Sequence, residues 1–158
     1  MKHCKLVIGY GNPLRGDDRL GWEIAGRLSA GIADESVEIM AVHQLTPELA
    51  EPVSKADMVI FVDASCEGKP GTWKCDKVEP APATADPLGH HFSISGLLAY
   101  ARAIYSASPE AFVVSVAAET FECRDALSPS VELALPKIVR YIREKIGCPN
   151  PNSEVTHA

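Results

Sequence analysis

A chain of 158 residues, 46% of them hydrophobic, fits a single soluble domain with ample material for a core. Its 21 acidic against 15 basic residues give a formal charge of -6, which argues against binding a phosphate backbone, since that needs a clustered basic face. Lys2 and Lys5 precede an apolar stretch too short for a signal-peptide core, and no segment could span a bilayer. The composition therefore predicts a cytoplasmic protein with neither a nucleic-acid nor a membrane partner, and a monomer by default. Five cysteines, Cys4, Cys66, Cys75, Cys123 and Cys148, are odd in number and form no Cys-x-x-Cys pair, which opposes a disulfide framework or a zinc knuckle. Cys66 follows an apolar run, but no histidine is near it in sequence, so a buried or incidental thiol is the reading preferred over a nucleophile.

Taken in chain order, short apolar runs alternate with helical patterns, the signature of βαβ units around a parallel sheet. Strands are predicted at Lys5 to Ile8, Val37 to Val42, Met58 to Val62, Gly71 to Lys74 and Phe112 to Val116, and helices at Asp18 to Leu28, Pro47 to Ser54, Ser93 to Tyr105 and Pro129 to Ile146. Pro47 and Pro129 follow Thr46 and Ser128, the pattern of a capping residue with proline at the first helical position. Lys137, Arg140, Arg143 and Lys145 suit the last turns of the final helix. Glu79 to Gly89 reads as a loop rich in Pro and Ala; one domain over 1–148 is expected, followed by a polar, disordered tail at 149–158.

Chemistry concentrates after the first strand, where Gly9-Tyr10-Gly11-Asn12-Pro13-Leu14-Arg15-Gly16 ends on the adjacent carboxylates Asp17 and Asp18. Aspartate at a helix start commonly caps free N–H groups, which accounts for Asp17. A second carboxylate beside the first repels it, a cost no cap requires, so Asp18 is the better candidate for function. The spacing Gly-x-Gly-x-x-x-x-Gly is not the dinucleotide fingerprint Gly-x-Gly-x-x-Gly, and no Gly-Lys-Ser/Thr follows. A third carboxylate, Asp63, ends the Met58 to Val62 run; capping a turn is its structural alternative. If the first and third strands are neighbours, Asp18 and Asp63 crowd one edge. His90 and His91 close the long loop ahead of the Ser93 helix, and one imidazole with two carboxylates makes a donor set suited to zinc or nickel with open positions. A loop histidine taken singly is more often solvated or capping, and His3 and His157 at the termini carry no signal.

These residues resemble the hydrogenase maturation proteases, which trim the C-terminal extension of the large subunit of nickel-iron hydrogenases. The resemblance runs through Gly9 to Asp18, His43-Gln44-Leu45-Thr46-Pro47-Glu48-Leu49, Val62-Asp63-Ala64, Gly89-His90-His91-Phe92-Ser93, Glu119-Thr120-Phe121-Glu122 and Leu127-Ser128-Pro129. It implies an α/β fold, a three-layer αβα sandwich with a mostly parallel central sheet of the phosphorylase/hydrolase-like type. It also implies a hydrolase: an endopeptidase whose partner is the immature large subunit and whose nickel arrives on that substrate.

The family's three metal-contacting positions carry over as Asp18, where many members have Glu, Asp63 and His90. His90 is chosen over His91 because that alignment sets Phe92, Ile94, Leu97 and Leu98 on the motif's apolar positions. Nickel would polarise the scissile carbonyl or activate water, with Asp63 the candidate base; Gly11, Asn12 and the His43 to Thr46 turn would shape the groove for the substrate tail. Arg19 stands where glycine commonly follows the acidic pair, and Ala118, Arg124 and Ala126 replace glycines common near the later motifs. Two other classes share some of these features: a non-catalytic nickel-sensing chaperone of the large subunit, and a nucleotide-binding oxidoreductase.

Overall fold

The computed structural model describes residues 4–82 and 92–148. Strands β1 (Lys5–Tyr10), β2 (Val37–Val42), β3 (Met58–Ser65), β4 (Trp73–Lys77) and β5 (Glu110–Ala117) form a sheet in the order β2-β1-β3-β5-β4. β2, β1, β3 and β5 run parallel, and β4 joins β5 antiparallel at one edge. The principal helices are α1 (Leu20–Gly31), α2 (Ala50–Ser54), α3 (Ile94–Tyr105) and α4 (Pro129–Lys145).

The strands are continuous apolar runs because both faces of the sheet are covered. Leu6 and Ile8 of β1 and Val59 and Phe61 of β3 join α2 and α3 residues such as Val53, Leu97 and Leu98 in one buried cluster. The alternate residues Val7, Ile60 and Val62 join Leu20, Ile24 and Leu28 of α1 and Leu135, Ile138 and Ile142 of α4 in the other. Each such side chain withdrawn from water contributes roughly 1.5–3 kcal/mol. The result is the three-layer αβα sandwich expected, with a mostly parallel sheet. No helix among the described residues is long and apolar enough to cross a membrane.

Several boundaries differ from the expected ones. β1 continues to Tyr10, and a 3₁₀ turn over Gly16–Arg19 precedes α1, so neither aspartate lies in the α-helix itself. β3 runs on to Ser65, which puts Asp63 inside a strand instead of at its exit; pairing with β5 as far as Ser65↔Ala117 holds it extended. The last sheet strand before α3 starts at Trp73 and not Gly71, because Gly71 adopts φ 87° in a turn. The Pro47 to Ser54 helix is split into a 3₁₀ turn over Pro47–Leu49 and the short α2. Neither Thr46 nor Ser128 caps its own helix through its side chain, whereas Ser93 accepts the Gly96 N–H at 3.0 Å. The 149–158 tail and the 83–91 stretch with its two histidines lie outside the described residues.

The first glycine of the turn is required by packing. A Cβ on Gly9 would overlap the carbonyl oxygen of Gly21 in α1, and one on Gly21 would lie 2.7 Å from the Tyr10 backbone nitrogen. The strand and helix meet backbone to backbone, with no flexible side chain between them to give way. Gly9→Ala is expected to destabilise the protein by about 3 kcal/mol or more, read as a lower urea midpoint; an unchanged midpoint would show that α1 moves away freely.

Candidate functional site

The order β2-β1-β3 makes the chain reverse its direction of travel across the sheet between β1 and β3. α1 packs on one face and α2 on the other, so the connections diverge there and leave a crevice outside the carboxyl ends of the two strands. A cleft of about 820 Å³ opens at this place, and Asp18 and Asp63 both line it. The structure therefore brings together two of the three residues singled out in the sequence. The third, His90, lies outside the described residues. Among the described residues no group of three or more His, Cys, Asp or Glu side chains is arranged to hold a metal ion. The five cysteines are free and scattered, so none forms a disulfide.

Asp17 and Asp18 are consecutive but serve opposite sides of the turn. Asp17 is fully buried. Its Oδ2 accepts the Ser128 hydroxyl at 2.6 Å and the Glu119 and Thr120 N–H groups at 2.8 and 3.2 Å, while Oδ1 accepts the Ser128 N–H at 2.8 Å. Burial pushes this carboxyl up, but the Ser128, Glu119 and Thr120 donors outweigh burial and hold it below its ordinary value. Asp17 is thus structural, as expected of it, but it caps the start of α4 and the loop after β5 instead of its own helix. Ser128 gives its hydroxyl to Asp17, which is why it makes no side-chain cap of its own.

Asp18 turns the other way, and its Oδ2 accepts the Asn12 N–H at 2.7 Å. Gly11, at φ 144°, lies so close to Asp18 that a Cβ there would sit 2.9 Å from Asp18 Oδ1. The Gly11 carbonyl accepts the Trp22 indole N–H at 2.9 Å, and Trp22 meets the His43 ring edge-on with centroids 5.4 Å apart. His43, Gln44 and Leu45 line the cleft, as does Gly11. Arg19, the departure from glycine, is accommodated by Glu23 at 2.9 Å and the Pro13 carbonyl at 3.3 Å. Arg124 is tied by its backbone to Leu14 and Gly16.

The same hydrogen bonds argue against a phosphate ligand in the turn. Gly11 N–H goes to Val42, Asn12 to the Asp18 carboxylate, Leu14 to the Asn12 side chain, Arg15 to Asn12, Gly16 to Arg124, Asp17 to Thr120 and Asp18 to Arg15. Pro13 has no N–H. A pyrophosphate would find no free amide among these donors.

Asp63 is half-buried near the end of β3, and its carboxyl is pushed up to about 6, first by burial and further by the Asp18 charge. Hydrogen bonds from the Tyr10 hydroxyl and the Ala64 N–H pull in the opposite direction without reversing the shift. Tyr10 is in turn raised by its own burial and by Asp63. Sequence reasoning did not single out Tyr10. The signal was its position one residue beyond Gly9, which pairs with Val62, so that Tyr10 falls beside Asp63 once β1 and β3 are known to be neighbours.

The two aspartates make opposite pH predictions. Asp17 contributes stability that is present above the ordinary carboxyl value of 3.8 and is lost as pH falls through its lower folded value. Asp17→Ala, which strands buried donors, should cost at least about 3 kcal/mol at pH 7 and should flatten the acid limb of the stability curve measured by urea unfolding. For Asp63 the folded state holds its proton more tightly than the unfolded state, so stability falls as pH rises from 3.8 to about 6. Asp63→Asn is expected to stabilise the protein at pH 7 by up to about 3 kcal/mol, with the gain fading below pH 4; a variant less stable at pH 7 would contradict this.

No protein-family model and no curated protein matches this sequence. Solved structures do. The hydrogenase maturating endopeptidase HybD of Escherichia coli is 27% identical over 91% of this chain and 94% of its own, with a TM-score of 0.75. A hydrogenase 2 maturation peptidase of a Thaumarchaeota archaeon is 25% identical over 92% of this chain and 99% of its own, at 0.71. The NiFe hydrogenase maturation protease HycI of Thermococcus kodakarensis shares the fold at 20% identity, over 90% and 92% of the two chains, at 0.73. In fold and over nine-tenths of its length, this chain is therefore similar to solved hydrogenase maturation endopeptidases.

Proposed function

We propose that this chain is an endopeptidase that removes the C-terminal extension of the nickel-iron hydrogenase large-subunit precursor after nickel insertion, reading the substrate-bound nickel through Asp18, Asp63 and His90. It works in the cytoplasm as a monomer, on a protein substrate. The observation that carries this reading is the pair of carboxylates, one in the turn after β1 and one near the end of β3, that line one open cleft, within a fold shared with named maturation endopeptidases. Carboxylate and imidazole donors suit a borderline divalent ion such as nickel. The nickel belongs to the substrate, and the cleft needs to contact it only during processing.

In this mechanism Asp18, braced by the Asn12 N–H, offers its remaining oxygen to the incoming nickel. The substrate's nickel supplies Lewis-acid polarisation near the scissile bond. Asp63, with a carboxyl near 6, is matched to accept a proton from the attacking water close to neutrality. Water adds to the carbonyl carbon, the C–N bond breaks, and the proton held by Asp63 passes to the departing amine. Leu45, Phe92, Ile94 and Val113 give the cleft an apolar side along which an extended tail can lie.

The deciding experiment mixes purified protein with nickel-loaded and nickel-free precursor and follows the C-terminal extension by intact mass. Trimming of the loaded form alone is expected. An unchanged mass for both forms of the cognate precursor would point to a binding role, as in a nickel-sensing chaperone, or to a different substrate. In the same assay Asp18→Ala, Asp63→Ala and His90→Ala should each reduce processing at least about 100-fold; a normally active His90→Ala beside an inactive His91→Ala would move the third ligand by one residue.

A further inference from the structure

A phenol from a different strand stands beside the Asp63 carboxylate at the cleft. β1 pairs with β3 through Gly9↔Val62, and the next residue along, Tyr10, stands beside Asp63 at the cleft. The Tyr10 backbone is pinned on its other flank by Val42 of β2, and its ring packs against the buried cluster that contains Ile8 and Phe61. The phenol is therefore held on the same face of the sheet as Asp63, where its hydroxyl can donate to the carboxylate. The last torsion of an aspartate is broad and nearly two-fold, so an unbraced carboxylate sweeps through many orientations. The other donor, the Ala64 N–H, belongs to the residue next in the chain and constrains that torsion only locally.

We propose that Tyr10 is a positioning residue for the reaction: its phenol fixes the direction in which the Asp63 carboxylate faces the cleft, leaving one oxygen aimed at substrate. Tyr10 touches no reacting atom and acts through Asp63. This deepens the endopeptidase reading and rests on it for the activity measurement. The physical reason is preorganisation, since small misplacement of a reacting group costs far more in turnover than in binding. Donors to metal-contacting carboxylates behave in the same way, and their removal typically costs 10–100-fold in affinity or activity.

Tyr10→Phe deletes one oxygen and keeps the ring packed, so it separates positioning from core filling. Two readouts are needed. In processing of the nickel-loaded precursor, kcat should fall by about 10–100-fold with KM within about twofold of the parent. In crystal structures without substrate, the Asp63 carboxylate should occupy more than one orientation in the variant and a single one in the parent protein. A single unchanged orientation, or an unchanged kcat, overturns the proposal. Failure of the parent protein to process any precursor overturns the endopeptidase reading instead, and the carboxylate orientation then decides the role of Tyr10 alone.

Discussion

The buried Asp17 carboxylate is the junction on which the rest of the site depends. It gathers four donors from Glu119, Thr120 and Ser128, residues more than a hundred positions away in the chain. These tie the turn after β1 to the loop after β5 and to the start of α4. Backbone bonds between Gly16 and Arg124, Leu14 and Arg124, and Asp17 and Thr120 close the same seam. A buried carboxylate is tolerated there because its hydrogen-bonding capacity is largely met by donors. With one end of the turn held in this way, the next residue, Asp18, has no choice but to face the cleft.

Two aspartates of one molecule thus illustrate how environment divides labour. Asp17 is deeply buried yet lowered, because donors surround the charge. Asp63 is less deeply buried yet raised to about 6, because it has fewer donors and a like charge nearby at Asp18. The first arrangement stabilises the fold at neutral pH, and the second costs stability there.

The cleft walls come from the same economy of backbone. Gly9 and Gly21 let β1 and α1 touch without side chains, and Gly11 lets the chain pass against Asp18. Trp22 then reaches back to the Gly11 carbonyl and meets the His43 ring edge-on, which joins the β1 and β2 exits. The amides of the turn are already committed to these internal bonds, so its glycines serve close packing and not phosphate binding.

Much was legible in the sequence. Continuous apolar runs at Leu6 to Ile8 and Met58 to Val62 required cover on both faces, which dictated a layered parallel sheet, and the ordered motifs pointed to Asp18 and Asp63 as one site. Local patterning carries this information because burial and chain direction are written in residue type and spacing. Three things were decided only by the tertiary structure. Asp17 faces α4 and not its own helix, Asp63 lies within β3 and not beyond it, and Tyr10 reaches Asp63. Each depends on strand order and register, which arise from contacts between segments far apart in the chain. No local pattern around Asp17, Asp63 or Tyr10 encodes which neighbour packing will supply.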